Sequence, residues 1–215
     1  MSVIYYDFET TGIPTTSEIL CIGAVTEKGE EFKKYVIPRV SFIHPNGTNI
    51  HGLSVSGGVL YLNAQEVEDA TEPEEALEAF ITWLREQNCK FLVAHNNLKY
   101  DKHIFQNQGM KFGVEVPNDV IHKDSLVFAK DSKLRLPKIS HILLIIKYQF
   151  VSDFPELRKR SLDKCLDYFL GESQPKPHDA LIDAKYVKKF CDVAAKRLGF
   201  ENHAKMVKED KPKNG

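Results

Sequence analysis

The chain has 215 residues, of which 42% are hydrophobic and 27% charged, a composition typical of one globular domain with an apolar core. Its formal net charge of −1 excludes a polycation, so binding of nucleic acid would need a local basic face or metal ions. The four cysteines are far apart and lack a Cys-x-x-Cys pair, which argues against zinc ribbons and disulfide frameworks.

The first residues predict a three-stranded meander. Residues 2–9 are rich in β-branched and aromatic side chains, and the turn residues Thr10 to Pro14 end this strand. Two further apolar runs, 19–26 and 31–37, flank the Gly-containing connection 27–30, which is typical of a hairpin.

The rest of the chain predicts strands alternating with helices. Residues 38–70 are rich in Pro, Gly and Asn and are predicted to be the longest irregular stretch. Thr71 is predicted to cap the next helix, with Glu74 as its reciprocal partner. The later predicted elements are a strand at 90–95, a helix at 100–109, a strand within 114–121, and helices at 161–170 and 180–198.

Two acidic residues lie on the first predicted strand. Asp7 and Glu9 are two positions apart, so the period of a strand points both carboxylates to one face and Phe8 to the other. Buried acids placed side by side repel each other and lose hydration unless a cation joins them, and Mg²⁺ prefers such oxygen ligands. The simpler alternative is a strand end at which both acids are solvated.

Three segments resemble the motifs of one enzyme family. Residues 7–12 (DFETTG) resemble the first motif of the DEDDh family, a group of 3′→5′ exonucleases with an RNase H-like fold. Residues 94–101 (AHNNLKYD) look like its second motif, and residues 178–183 (HDALID) look like its third. The three segments follow in the family's order, and the matching elements extend from about residue 5 to 190.

The resemblance implies roles for five residues. Asp7 would bridge two metal ions, with Glu9 and Asp183 as further ligands of the more tightly bound ion. Asp101 would complete the surroundings of the second ion through water, and His178 would be the general base. The implied cofactors are two Mg²⁺ ions, which Mn²⁺ could replace. Two cations neutralise phosphate charge and supply a nucleophilic hydroxide, and an imidazole near neutral pKa suits removal of the water proton.

Simpler structural roles compete with these assignments. Asp101 fits an acid that caps a helix, and His178 fits an ordinary loop residue before a helix. Asp179 also fits a capping role, so the assignment of a ligand role to Asp183 rests on spacing.

The resemblance also implies contacts to the substrate, made by Thr10, Thr11, Gly12, His51 and Asn97. The first three would bring backbone amides near the terminal nucleotide, since glycine permits close approach. Residues 49–53 (NIHGL) resemble the family's segment that packs on the terminal base or sugar, although His51 equally fits a buried turn. Asn97 equally fits the formation of a turn.

These patterns predict an RNase H-like α/β domain at residues 1–200, with a mixed five-stranded sheet flanked by helices. Residues 201–215 are predicted to be a polar, disordered C-terminal tail. Within the family, residues 11–14 and 19–25 most resemble the three-prime repair exonuclease branch.

The expected function is that of a metal-dependent 3′→5′ exonuclease, a hydrolase that releases nucleoside 5′-monophosphates. Its partner would be the 3′ end of DNA or RNA, with single-stranded ends favoured. The alternatives are a catalytically silent nucleic-acid-binding or scaffold protein on the same fold, and a polymerase-associated proofreading subunit. Lacking an apolar run of roughly 20 residues and a secretory signal, the chain is expected to be intracellular, cytoplasmic or nuclear, without membrane contact. Protein partners, homodimerisation and the choice between DNA and RNA stay open at this point.

Overall fold

The computed structural model describes residues 1–13, 15–125, 162, 166, 178–197 and 200–209. The strands within these ranges are β1 (Ser2–Thr10), β2 (Ile19–Thr26), β3 (Glu31–Tyr35), β4 (Leu53–Ser56), β5 (Val59–Leu62), β6 (Gln65–Glu66), β7 (Cys89–Ala94) and β8 (Ile121–Asp124). The helices are α1 (Pro45–His51), α2 (Pro73–Glu86), α3 (Asp101–Phe112), α4 (Ala180–Arg197) and α5 (His203–Glu209). None of these helices is both long enough and apolar enough to span a membrane.

The main sheet has five strands in the order β3-β2-β1-β7-β8. β1 is antiparallel to β2 and parallel to β7, while β2 is antiparallel to β3 and β7 is parallel to β8. The predicted opening meander and the mixed five-stranded sheet are therefore confirmed. Because β1, β7 and β8 run in the same direction, their carboxyl ends meet at one edge of the sheet, where ligand sites of such sheets are commonly found.

Helices cover both faces of the main sheet. On one face, Tyr6 and Phe8 of β1 pack with Phe80 of α2 and Phe105 of α3. On the other face, the core is formed by apolar side chains of β1, β7, α4 and α5, together with Leu162 and Leu166. The remainder of the predicted helix at 161–170 lies outside the described residues. With both faces covered, every residue of β2 is buried.

The prediction that residues 38–70 are irregular is wrong. This stretch contains α1 and a separate three-stranded sheet, in which β5 pairs with both β4 and β6. The three strands have only 4, 4 and 2 residues, too few to establish a clear period of alternation. The Gly57-Gly58 pair in the first turn was the available signal, since both glycines adopt the left-handed conformation of a tight hairpin.

The predicted start of α2 is also wrong. Thr71 does not cap the helix; its N–H donates to the carbonyl of Tyr35 and its carbonyl accepts from Ile37, so Thr71 extends the edge of the main sheet. Glu72 is the N-cap residue and Pro73 begins the helix, where the missing N–H of proline carries no penalty.

Two further boundaries differ from the predictions. The strand expected within 114–121 begins only at Ile121, so β8 ends at an acidic residue, Asp124. The tail expected to be disordered from residue 201 instead forms α5, whose Ala204 and Val207 are buried. His203 is also buried, and its Nδ1 lies 3.0 Å from the hydroxyl of Tyr5. These buried contacts order the segment despite its polar composition; residues 210–215 lie outside the described part of the chain.

Candidate active site

Strand β1 places two carboxylates on one face of the sheet. Asp7 is partly buried and Glu9 is 8% exposed, while the neighbouring Phe8 points into the opposite core. The pairing of β1 with β2 shifts register between Glu9 and Thr10, so the regular ladder ends directly after the second acid. The same-face arrangement predicted from the spacing is present.

Helix α4 brings Asp183 to these two acids. Asp7 pairs across the sheet with Gly23 of β2. A Cβ atom at Gly23 would lie 2.1 Å from the carbonyl carbon of Ala180 and from the backbone nitrogen of Leu181. The first turn of α4 therefore rests directly on a position without a side chain, and Asp183 in that turn reaches the face that carries Asp7.

Asp7, Glu9 and Asp183 form a compact acidic cluster. One carboxylate oxygen from each residue lies within 4.8 Å of the others. Burial, and then the charges of Asp183 and Asp101, raises the pKa of Asp7 well above its ordinary value. Burial and the charge of Asp183 raise the pKa of Glu9 to about 8, although His178 acts in the opposite direction. These carboxylates therefore resist ionisation together in the metal-free protein.

Asp101 approaches the cluster from α3. It is the first residue of this helix and is 7% exposed, and its charge contributes to the raised pKa of Asp7. Burial raises the pKa of Asp101 to about 7, while hydrogen bonds from its own backbone N–H and from that of Phe8 lower it. The structure thus brings together all four acids singled out from the sequence, and Asp101 lies in the predicted first turn of a helix.

His178 lies beside the cluster, directly before α4. Its Nδ1 is 3.1 Å from Oδ2 of Asp183, and its backbone N–H donates to the carbonyl of Ile50 at the end of α1. When Asp183 is ionised it can only accept, so the ring then donates through Nδ1 and the lone pair of the neutral imidazole lies on Nε2. Asp179 caps α4 by accepting from the N–H groups of Leu181 and Ile182.

Three of the expected substrate contacts, Thr10, Thr11 and Gly12, form hydrogen bonds within the loop that follows β1. The N–H of Thr11 donates to the carbonyl of Glu18, and the Thr11 hydroxyl accepts from the N–H of Glu18. The backbone amide of Thr11 is therefore already paired with Glu18 within its own loop, and a position of this loop near the terminal nucleotide stays a prediction. Thr10 donates its hydroxyl proton to the carbonyl of Gly12, so these two residues form the bend that follows β1.

His51 is buried at the end of α1, close to His178. Its Nδ1 accepts from the N–H of Leu53, and its Nε2 has no hydrogen-bond partner among the described residues. Burial lowers the pKa of His51, and the charge of His178 lowers it further, whereas the backbone of Thr10 raises it. The neutral ring therefore carries its proton on the buried Nε2, close to Thr10 and His178, and a contact of His51 with the substrate stays a prediction.

Asn97 is not placed to contact a substrate. It is completely buried, its Nδ2 donates to the carbonyls of Leu92 and Lys123, and its Oδ1 accepts from the Tyr6 hydroxyl.

Asp124 was not singled out from the sequence, because the strand before it was expected to end at residue 121. An acid at the carboxyl end of a buried parallel strand is the signal that could have identified it.

The chemistry of the cluster fits a divalent metal ion. Oε1 of Glu9 is buried and has no hydrogen-bond partner among the residues that the structure describes. A buried oxygen of this kind, crowded by further carboxylates, is stabilised by a hard cation. Asp7, Glu9 and Asp183 together could hold such an ion, and Asp101 lies near enough for its charge to raise the pKa of Asp7.

The fold is similar to that of known nucleases. The structure is similar to the zinc-bound complex of Escherichia coli ExoI with single-stranded DNA (TM-score 0.64, 16% identity, 92% of this chain and 41% of that chain). It is also similar to the Neurospora crassa Pan2 catalytic unit, described as a protease and nuclease domain (TM-score 0.59, 16% identity, 99% of this chain and 30% of that chain). This chain thus spans less than half the length of either protein, and the likeness confirms the RNase H-like fold.

A search among curated proteins gives no match to the sequence. The sequence profile of RNase_T, described as "Exonuclease", matches residues 4–190, which contain every residue of the acidic cluster and His178. The chain therefore belongs to the RNase_T exonuclease family within the RNase H-like superfamily.

Proposed function

We propose that the protein is a metal-dependent 3′→5′ exonuclease that hydrolyses phosphodiester bonds and releases nucleoside 5′-monophosphates. The observation that carries the proposal is the convergence of Asp7, Glu9 and Asp183 within 4.8 Å, with His178 hydrogen-bonded to Asp183. Membership of an exonuclease family supports the same reaction. Single-stranded 3′ ends are the proposed substrate, and the similar ExoI complexes with single-stranded DNA support this choice.

The acids would hold the metal ions. Asp7, Glu9 and Asp183 would hold one Mg²⁺ or Mn²⁺ ion, and Asp7 and Asp101 would help to hold a second. When bound, the ions supply positive charge to the phosphate and lower the pKa of water. The raised pKa values of Glu9 and Asp101 are consistent with oxygens that need a cation to become fully ionised.

His178 would move the proton in the hydrolytic step. The oxygen of the attacking water forms a bond to phosphorus, and the bond from phosphorus to the O3′ atom of the preceding nucleotide breaks. The proton of the water goes to Nε2 of His178, and the leaving O3′ takes a proton from solvent. The hydrogen bond from Nδ1 to Asp183 orients the ring and stabilises the imidazolium that forms.

The proposal is tested by replacing single acids of the cluster. Asp7→Asn and Asp183→Asn each remove one negative charge from the metal site without changing the size of the side chain. We expect the rate with Mg²⁺ to fall about a thousandfold, which corresponds to several kcal/mol of lost charge stabilisation. The measurement follows single-stranded DNA and RNA oligonucleotides labelled at the 3′ or the 5′ end. A 3′ label should appear at once as a mononucleotide.

Asp119→Asn provides the matched control, because the Asp119 side chain is 73% exposed and its only described ion pair joins it to Lys90 at 4.0 Å. Its rate should equal that of the unmodified protein. Cleavage at internal positions would rule out the exonuclease assignment. Rates near that of the unmodified protein in either cluster variant would rule out the metal mechanism.

A further inference from the structure

The turn between β7 and α3 is held by a network of buried polar side chains that the reaction described above does not use. Residues 95–100 connect the end of β7 to Asp101, the first residue of α3. Asn96 in this turn has a φ of 62°, in the left-handed region that a non-glycine residue adopts only at a cost. Hydrogen bonds from neighbouring residues must therefore hold Asn96 in this backbone conformation.

Asn97 joins three strands of the sheet through its side-chain amide. Its Oδ1 accepts from the Tyr6 hydroxyl of β1 at 2.6 Å, and its Nδ2 donates to the carbonyl of Leu92 in β7 at 3.3 Å. The same nitrogen donates to the carbonyl of Lys123 in β8 at 2.8 Å. The Asn97 carbonyl also accepts from the N–H of Lys102, in the first turn of α3. One buried residue thus ties β1, β7 and β8 to the start of α3.

Asp124 holds the same turn from the end of β8. Its Oδ1 accepts from the N–H of Asn96 at 3.0 Å, and its Oδ2 accepts from the N–H of Leu98 at 3.2 Å. Asp124 is 7% exposed, so these charge-assisted bonds are shielded from water. Its two oxygens therefore fix the backbone on both sides of Asn97.

We propose that Tyr6, Asn97 and Asp124 are positioning residues that set the location of the Asp101 carboxylate relative to Asp7. Tyr6 immediately precedes Asp7 on β1, and Asn97 lies one helical turn before Asp101. The Tyr6–Asn97 hydrogen bond thus links the backbone segments that carry the two acids. The inference rests on the proposed function to the extent that Asp101 serves a metal ion. It assigns to Asn97 a role through Asp101 in place of a contact to the substrate.

The test removes one hydroxyl group and compares two adjacent tyrosines. Tyr6→Phe removes the hydrogen bond to Asn97 and leaves the ring in place. Tyr5→Phe is the matched control, because Tyr5 is equally buried but hydrogen-bonds to His203 on the opposite face of the sheet. Binding of Mn²⁺ alone is measured by electron paramagnetic resonance, without nucleic acid. We expect Tyr6→Phe to weaken the binding of the second ion about tenfold, as loss of a supporting hydrogen bond commonly does, and Tyr5→Phe to leave it unchanged.

A double-mutant cycle separates positioning from general destabilisation. If Tyr6 acts through Asp101, the tenfold effect of Tyr6→Phe should vanish in an Asp101→Asn background, because the group being positioned has lost its charge. An equal effect in both backgrounds would overturn the inference, as would equal effects of Tyr6→Phe and Tyr5→Phe. Because this cycle reads metal binding, its result stands even if the protein fails to degrade nucleic acid. The two proposals can therefore fail separately.

Asp124→Asn offers a second variant that does not depend on Tyr6. An asparagine keeps one accepting oxygen, so one of the two backbone N–H groups, that of Asn96 or Leu98, loses its acceptor. Hydrogen exchange at these two amides should become at least tenfold faster, and Mn²⁺ binding should weaken as in Tyr6→Phe. Faster exchange with unchanged Mn²⁺ binding would show that the turn is not coupled to the metal site, which contradicts the inference.

Discussion

The acidic residues of the cluster are costly to bury in the absence of metal. Burial and mutual repulsion raise the pKa values of Asp7, Glu9 and Asp101, so the metal-free protein holds protons that free carboxylic acids would release. For Glu9 the pKa rises from 4.5 to about 8. Its contribution to folding stability is therefore fully present below pH 4.5 and is lost as the pH rises through 8.

Glu9→Gln should reveal this linkage. In the presence of a chelator, the free energy of unfolding of the unmodified protein should fall by about 2 kcal/mol between pH 6 and pH 8 because of Glu9. The glutamine side chain of the variant cannot ionise, so the variant should lack that part of the decrease. Denaturant unfolding at both pH values measures the difference. Parallel pH dependence in the two proteins would show that Glu9 ionises normally in the folded state.

The motifs in the sequence were sufficient to predict that four acids and one histidine converge, but not which neighbours surround them. Asp7, Glu9, Asp101, His178 and Asp183 lie together as expected. The pairing of the Thr11 amide with Glu18, seven residues away, was not predicted, because no local sequence pattern indicates that hydrogen bond. Asn97 is likewise governed by partners from three strands, which only the folded sheet brings together.

At the scale of elements, the site depends on the close crossing of α4 over β2. Gly23 permits this crossing because it has no side chain. Since Asp7 is its cross-strand partner, the contact between α4 and Gly23 lies beside Asp7. The ends of α1 and α4 are also joined, since the N–H of His178 donates to the carbonyl of Ile50. The sequence predicted the long last helix but not where it would cross the sheet. A glycine in a strand can mark a bulge or a bend as well as a close approach of another backbone.

Gly23→Ala should therefore disturb both stability and metal binding. The added Cβ would meet the backbone of Ala180 and Leu181 at 2.1 Å, and backbone atoms cannot move aside as a flexible side chain can. We expect a loss of roughly 3 kcal/mol or more of folding stability, together with weaker Mn²⁺ binding. Thermal unfolding and Mn²⁺ titration measure the two effects.

Gly57→Ala is the control for this substitution. Gly57 has a φ of 58° and no atom within 4 Å of an added Cβ, so the cost should be limited to about 1 kcal/mol of backbone strain. Metal binding should not change in this control. Equal losses of stability in the two variants would mean that the packing of α4 on Gly23 is not tight.

At the scale of the whole molecule, the sheet gathers the site at one edge. The carboxyl ends of β1, β7 and β8 supply Asp7, the turn before Asp101, and Asp124, while α4 adds Asp183 across the face of β1. The order of three motifs in the sequence was enough to predict this architecture. The small sheet at residues 53–66 and the docked α5 were missed because short strands and a buried His203 depend on tertiary contacts.

In the proposed mechanism, the acids of β1, α3 and α4 (Asp7, Glu9, Asp101 and Asp183) form one metal centre. The most direct test is anomalous diffraction from crystals soaked with Mn²⁺ and a nucleoside 5′-monophosphate. We expect one ion between Asp7, Glu9 and Asp183, and a second ion on the side of Asp7 that faces Asp101. Anomalous density located elsewhere, with none between these carboxylates, would contradict it.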